Sequence, residues 1–317
     1  IERCASLARR AASLLLLYEE WNVGLLPVPI THIADGEPLP PVRWLPPPRR
    51  GWIRADPFGL RRDGRLFVLY EDYNYWTRRG RISWLASPAV PGQTRGVALA
   101  LPCHLSFPFL LEHEGDIYCI PESSALREVA LYRAVAFPQR WEKAGTLVRG
   151  LAAVDSQVIA FAGRWWLFCG ISYAEPGSER QLHVYHAPDL HGPWQPHRQN
   201  PIPMPAGTAR PAGAVFVHDG RLYRCTQDCS LEIAHAVTLT RINRLTPDEF
   251  QEEPVRTIAP FTGTRYARRV HHLSAVGDRC LVDGMRYRLI GQAHLRELLG
   301  RLISNSVTRR LRGRPGG

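Results

Sequence analysis

A hairpin signature recurs five times along this chain, and that repeat limits the fold more than any other feature. Set on a shared turn glycine, the copies are "DPFGLRRDGRLFVLYED" on Gly64, "FPFLLEHEGDIYCIPES" on Gly115, "DSQVIAFAGRWWLFCGI" on Gly163, "AGAVFVHDGRLYRCTQD" on Gly220 and "RVHHLSAVGDRCLVDGM" on Gly277. The glycines stand 51, 48, 57 and 57 residues apart. Each copy is an apolar run, a two-residue turn and a second apolar run. Asp-Gly between alternating runs is a strong hairpin signal, because a type I′ turn needs positive φ at both central residues.

Between the hairpins lie more strand-like runs: "RGRISWLAS" (79–87), "EVALYRAVAF" (128–137), "QLHVYHAPDL" (181–190) and "AVTLTRINRL" (236–245). A hairpin plus one or two further strands, repeated five times, predicts an all-β, five-bladed β-propeller over residues 51–290. A β-sandwich is the rival architecture, but it gives no reason for a fivefold period. Outside the repeat, "CASLARRAASLLLLYEEW" and "AHLRELLGRLISNSV" space their apolar residues as helices do. The expected organisation is therefore an N-terminal helix with a Pro-rich connector (1–50), the propeller, and a C-terminal helix with a basic tail (291–317).

The formal net charge of +11 comes almost wholly from arginine, with Lys143 the single lysine. The arginines are scattered except near the ends, and no nucleic-acid motif accompanies them, so nucleic acid is not an expected partner. The basic C-terminal segment is compatible with peripheral contact to a membrane. No apolar run reaches the ~18–20 residues of a spanning helix. Seven cysteines with no metal-ligand spacing read as buried reduced thiols, and a cytoplasmic setting is expected. The chain begins at Ile1, so any targeting signal would lie outside it.

The repeat gives the acids a common location. In a two-residue hairpin, paired positions have a constant sum, which sets Asp56 opposite Glu71 with Cβ atoms about 5 Å apart. The same rule pairs Phe107 with Glu122, Asp155 with Gly170, Ala212 with Gln227, and His272 with Asp283. Innermost strands line a propeller's channel, so Asp56, Glu71, Glu122, Asp155, Gln227, Asp228, His271, His272 and Asp283 are expected at one mouth. Opposed like charges are destabilising, and such a cluster is usually kept by a ligand, a cation or a raised pKa. The alternative is that each acid pairs with an arginine, Arg54, Arg210 and Arg269 lying at similar heights. Tyr73 and Trp76, in the loop after the first hairpin, offer flat faces to a sugar, and Phe107 and Phe109 read equally as core between blades.

Several of these motifs together resemble one family: "ADPFGL", "HLSFPFLLEHEGDIYCIPES", "LYRAVAFPQRWE", "VDSQVIAFAGRWWLF", "GRLYRCTQDCS" and "HHLS" followed by "LVDG". It is the N-terminal domain of plant glucosamine inositolphosphorylceramide transferases, with bacterial relatives associated with formyltransferase-like regions. More distantly the chain is similar to the five-bladed propeller clan of arabinanases, β-xylosidases and invertases. The likeness to that clan implies Asp56 as nucleophile or base, Asp155 as the aspartate that orients the acid or stabilises the transition state, and Glu122 as the general acid. Glu122 departs from the clan, whose acid usually follows the second aspartate, and Glu71 is its rival.

The expected activity is cleavage or transfer of a glycosyl unit, furanosyl in one version, in a bacterial surface glycan. Glu71, Tyr73, Trp76, Arg210, Gln227, Asp228, His271, His272 and Asp283 would bind substrate. The alternative is a non-catalytic module that binds a glycan or nucleotide sugar for a fused or associated transferase domain. No cofactor is expected; an acid-lined channel has room for calcium, but no ligand loop demands it.

Overall fold

The computed structural model describes residues 17–87, 94–175, 177–205, 208–229 and 235–289. Upstream of the repeat are strand β1 (Leu17–Leu26), a short helix α1 (Ile30–Ala34) and strand β2 (Arg43–Trp44). The first blade holds β3 (Trp52–Arg62), β4 (Arg65–Asn74), β5 (Arg79–Ser87) and β6 (Arg95–Leu99). The second holds β7 (Ser106–His113), β8 (Asp116–Glu122), β9 (Glu128–Ala136) and β10 (Arg140–Arg149). The third is built from β11 (Ala153–Phe161), β12 (Arg164–Ile171), β13 (Gln181–Ala187), β14 (Gln195–Pro196) and β15 (Ile202–Pro203). The fourth has β16 (Phe216–His218), β17 (Arg221–Asp228), β18 (Ala236–Leu245) and β19 (Phe250–Ile258). The last begins with β20 (Leu273–Val276) and β21 (Arg279–Leu289).

The fold is the expected five-bladed propeller: five antiparallel sheets, each starting at its inner strand and working outward in chain order. The last blade runs β20-β21-β1-β2, so its outer half comes from the other end of the chain. Ten consecutive pairs, Leu17↔Leu289 to Leu26↔Cys280, join β1 to β21 and close the ring. Closure in this way pairs the otherwise free edge of β21.

That closure corrects the helical reading of the N-terminal segment. From Leu17 onward it is a strand, with Tyr18, Glu20 to Gly24 and Leu26 buried. The open edge of β21 supplies a full ladder of backbone partners, which outweighs local spacing. Residues 1–16 of that predicted helix, and the C-terminal helix and tail, lie outside the described residues.

The Asp-Gly turns are as expected. Asp63 and Gly64 have φ of 51° and 71°, and Asp219 and Gly220 have 50° and 71°. Apolar side chains fill the spaces between blades; Phe58, Phe107, Phe109, Ile120, Leu131, Val158 and Leu167 form one such cluster. Phe107 and Phe109 are thus core. Cys119, Cys169, Cys225 and Cys280 are buried free thiols. Among the described residues, no helix is long and apolar enough to cross a membrane.

Candidate active site

The constant-sum register fails near the channel mouth, and the way it fails positions the acids. Ala55, not Asp56, pairs with Glu71; Ser106, not Phe107, pairs with Glu122; Val154, not Asp155, pairs with Gly170. Each of these inner strands inserts one extra residue, a β-bulge, between the mouth and the turn. The bulged residues Asp56, Phe107 and Asp155 have φ of 50°, 43° and 52°. Such a backbone costs of order 1–3 kcal/mol at a non-glycine residue. Phe107 shares it and is core, so the bulge belongs to the blade, while the side chains of Asp56 and Asp155 give it a chemical use. In the fourth blade Pro211 bridges Thr226, and the amide of Gln227 donates to the carbonyl of Arg210, again displaced from the expected Ala212–Gln227 pair. The fifth blade keeps the constant sum where it pairs Leu273 with Val282, and the next residue, His272, donates its backbone N–H to the Asp283 carboxylate.

Backbone amides then tie Asp283 and Asp56 to the next blade. The amide of Asp56 donates to Asp283 Oδ2 at 3.2 Å, and the amide of Phe107 donates to Asp56 Oδ2 at 3.3 Å. Both His271 and His272 donate backbone N–H to Asp283 Oδ1 at 3.1 Å. The His271 ring lies between two carboxylates, with Nε2 3.2 Å from Asp56 Oδ1 and Nδ1 2.9 Å from Asp283 Oδ2. Trp21 packs against that ring at 4.3 Å between centroids.

On the opposite side Arg210 holds two more acids. Its Nε is bonded to Asp155 Oδ2, and its Nη2 lies 3.7 Å from Glu122 Oε2. Gln227 Nε2 donates to the same Asp155 oxygen at 3.1 Å, and Ser124 Oγ donates to Glu122 Oε1 at 3.3 Å. The Tyr173 ring supports the guanidinium at 5.0 Å. The arginine-pairing alternative thus holds for Arg210 alone of the three arginines named. Arg54 bonds to the Pro46 carbonyl, and Arg269 pairs with Glu19.

Glu71 stands apart, with His104 Nε2 3.4 Å from its Oε1. His104 Nδ1 accepts the Gly80 amide at 3.0 Å. Burial pushes the His104 ring below its ordinary pKa. A neutral ring whose Nδ1 is an acceptor must carry its proton on Nε2, facing Glu71. Position 80 must be glycine here: a Cβ would come within 2.5 Å of the Leu105 carbonyl and 3.0 Å of Glu71 Oε1.

The electrostatics divide the acids. Burial opposes charge on Asp56, but the imidazolium of His271, helped by His272 and Arg210, outweighs it and holds the carboxyl down at about 2. Burial, and then the charges of Asp56, Glu122 and Asp155, drive Glu71 well above the ordinary carboxylate range. Burial lifts Asp155 to about 8, the pull of Arg210 being offset by Glu122 and Asp56. His271 is raised well above its usual value because Asp283 and Asp56 outweigh its burial. His272, wedged between Phe58 and Phe107, is pushed down to about 4 by burial.

Asp56, His271 and Asp283 offer ligand atoms within 4.8 Å of one another, the spacing of a metal site. A metal-binding imidazole must be unprotonated, whereas Asp283 and Asp56 raise His271 well above its usual pKa and favour its protonated form. Calcium takes oxygen ligands, and one imidazole beside two carboxylates is a poor match to that preference.

Of the other residues expected at the site, Tyr73 packs on His104 at 5.7 Å. Trp76 lies over Gly51, where a Cβ would come within 2.2 Å of its indole. Asp228 ends β17, half-buried. His104 and Trp21 were not foreseen, because one sits in a connection between blades and the other in the strand misread as helix. Gln157, also unforeseen, accepts the Val215 amide at 2.6 Å.

Residues 51–276 match the family model described as glucosamine inositolphosphorylceramide transferase 1, N-terminal. The rice protein glucosamine inositolphosphorylceramide transferase 1 (Oryza sativa subsp. japonica) is 36% identical over 208 residues, covering 63% of this chain and 28% of the relative. Its Arabidopsis thaliana counterpart is 32% identical over 207 residues, covering 63% and 27%. The chain thus spans 28% or less of the curated relatives it matches. These relatives are plant proteins, and they lend no support to a bacterial glycan. Among solved structures, the catalytic domain of the Coprinopsis cinerea GH62 α-L-arabinofuranosidase aligns with TM-score 0.56 at 11% identity, covering 73% of this chain and 90% of that one. The RS223 β-xylosidase aligns with TM-score 0.52 at 10% identity, covering 74% and 92%. At such identities the likeness is one of fold.

Proposed function

The chain belongs to the glucosamine inositolphosphorylceramide transferase 1 N-terminal family, and from that premise we propose that its channel mouth cleaves or transfers a glycosyl unit. The observation that carries this reading is the split between two neighbouring acids: the surroundings push Asp56 toward its ionised form and Glu71 toward its protonated form. Glycosidic chemistry with a carboxylate pair needs that division, one group donating a proton to the leaving oxygen and the other acting as base or nucleophile.

In this reading Asp56 is the base or nucleophile, fixed by the Phe107 amide and charged by His271. Glu71 replaces Glu122 as the general acid, because burial and the surrounding carboxylates raise it against the opposing pull of His271, and the His104 ring beside it is biased toward its neutral form. The Glu122 and Asp155 carboxyls help to raise Glu71, and with Arg210 they form a second polar group that binds sugar hydroxyls. Tyr73, on His104, and Tyr173, on Arg210, offer aromatic faces beside these groups.

A second reading is favoured by the limited coverage of the relatives. The matched region is one part of a longer transferase, so it could bind a glycan or activated sugar for the remainder. Mass spectrometry of mixtures with polysaccharides and activated sugar donors separates the two. A product made by the wild type and absent with Asp56→Asn supports the enzyme. Saturable glycan binding that is equal in both proteins, with no product from either, favours the binding module.

A further inference from the structure

The face of the first blade turned toward the last blade carries a second site. Residues 52 and 54 of β3, 70 and 72 of β4, 81 and 83 of β5, and 95 and 97 of β6 share one face by strand alternation. Deeper along this face, Val68 and Tyr70 pack against Val23, Val276 and Leu281 of the last blade, as propeller faces usually do. Toward the mouth the packing stops. The outermost strand of the last blade, β2, is only two residues long, and Pro48 and Arg49 of the connector close the space instead. What remains is a cavity of about 340 Å³, within the size range of small-molecule sites.

Four arginines line this cavity, Arg49, Arg54, Arg81 and Arg95, against a single carboxylate, Asp72. Asp72 is already engaged: its Oδ2 accepts Arg81 Nε at 3.1 Å, Arg81 Nη2 at 3.0 Å and Ser83 Oγ at 2.9 Å. Arg54 donates to the Pro46 carbonyl and lies beside Tyr70, whose ring is 5.8 Å from its guanidinium carbon. Arg81 lies over Trp52 at 5.2 Å and lines the cavity with its Asp72 bond intact. Guanidinium groups gathered where the fold would normally place apolar side chains repel one another unless an anion joins them. Their planar forks match phosphate oxygens.

We propose that this cavity between the first blade and the Pro-rich connector binds a phosphate-bearing ligand, with Arg54, Arg81 and Arg95 as its ligating groups. The assignment is independent of the carboxylate chemistry at the mouth. Asp72 and Glu71 are consecutive residues of β4, so an occupied cavity would place a phosphate one residue from the candidate acid.

The test uses inorganic pyrophosphate as the soluble probe, titrated calorimetrically into the whole chain. The wild type should bind saturably, and more weakly as salt rises. Arg54→Gln/Arg95→Gln should bind about tenfold more weakly or worse, as expected when charge-assisted hydrogen bonds are lost. Arg140→Gln, on the second blade, should match the wild type. If the double variant fails to fold, Arg95→Glu at the exposed rim carries the same expectation. Flotation with phosphatidylcholine vesicles containing phosphatidic acid distinguishes the source. Vesicle binding displaced by pyrophosphate assigns a membrane-borne phosphate, and pyrophosphate binding without vesicle binding assigns a soluble one. No saturable pyrophosphate binding, or equal binding by the arginine variants, overturns the proposal.

Discussion

His271 Nε2 lies 3.2 Å from Asp56 Oδ1, joining the last blade to the first. This contact keeps the Asp56 carboxyl ionised in a buried setting. It also makes the candidate base depend on correct ring closure, since Trp21 of β1 packs on the same imidazole.

Asp56→Asn removes the candidate base and preserves the shape of the side chain. Turnover of a proven glycosyl substrate should fall about 10²–10⁴-fold, the usual worth of a positioned acid or base. Steady-state kinetics with matched circular dichroism would measure it. A fully active, folded variant would exclude Asp56 from the chemistry.

Glu71 must be protonated to act as acid, so activity should persist through mildly acidic and neutral pH and fall as the solution passes the raised pKa of Glu71. The opposing limb belongs to Asp56 at about 2. Glu71→Gln should abolish the alkaline limb and slow ordinary substrates about 10²–10⁴-fold. It should spare substrates whose leaving group departs without protonation. His104→Phe should move the alkaline limb while leaving such activated substrates unaffected, because His104 acts through Glu71. Unchanged pH profiles in both variants would return the acid role to Glu122.

His272 predicts how stability depends on acid. Its folded pKa is depressed to about 4 from 6.5. Between those values the unfolded chain binds the extra proton, so stability falls as pH drops from about 6.5 toward 4. Asp56 contributes in a lower window: its folded pKa is also depressed, so its stabilisation is present above 3.8 and is lost as pH falls toward 2. His272→Phe, placed among Phe58 and Phe107, should flatten the upper window in urea melts at several pH values. An unchanged slope there would show that His272 is not the group responsible.

A buried ion pair supports the fourth blade. Arg224, fully buried, makes two bonds to Glu252, at 3.0 and 2.6 Å. Glu252→Ala strands the guanidinium and should cost about 3–5 kcal/mol in chemical denaturation. Arg224→Met combined with Glu252→Leu should cost much less. Equal losses would assign the effect to packing and not to the stranded charge.

The fivefold repeat, its turns and the convergence of the acids were legible because hairpin chemistry is local. Two of the predicted outer-strand runs, 79–87 and 236–245, coincide with β5 and β18. The register at the mouth was not legible. A bulge adds one residue without altering the apolar pattern, so constant-sum pairing put Asp56 where Ala55 lies. The closing strand was also hidden, since the leucines before Tyr18 satisfy a helical period and only the free edge of β21, far along the chain, selects a strand. His104 carried no signal because the connection that holds it belongs to no repeat position.

The most direct test of the central claim is the protonation of Glu71 itself. Infrared difference spectra of wild type minus Glu71→Gln at neutral pH should show a protonated carboxylic-acid carbonyl band, with no matching loss of carboxylate absorption. Asp56→Asn should instead remove carboxylate absorption. If Glu71→Gln removes a carboxylate band and no acid band, the two neighbours are both ionised, and the mouth lacks the proton that glycosyl transfer or cleavage would need.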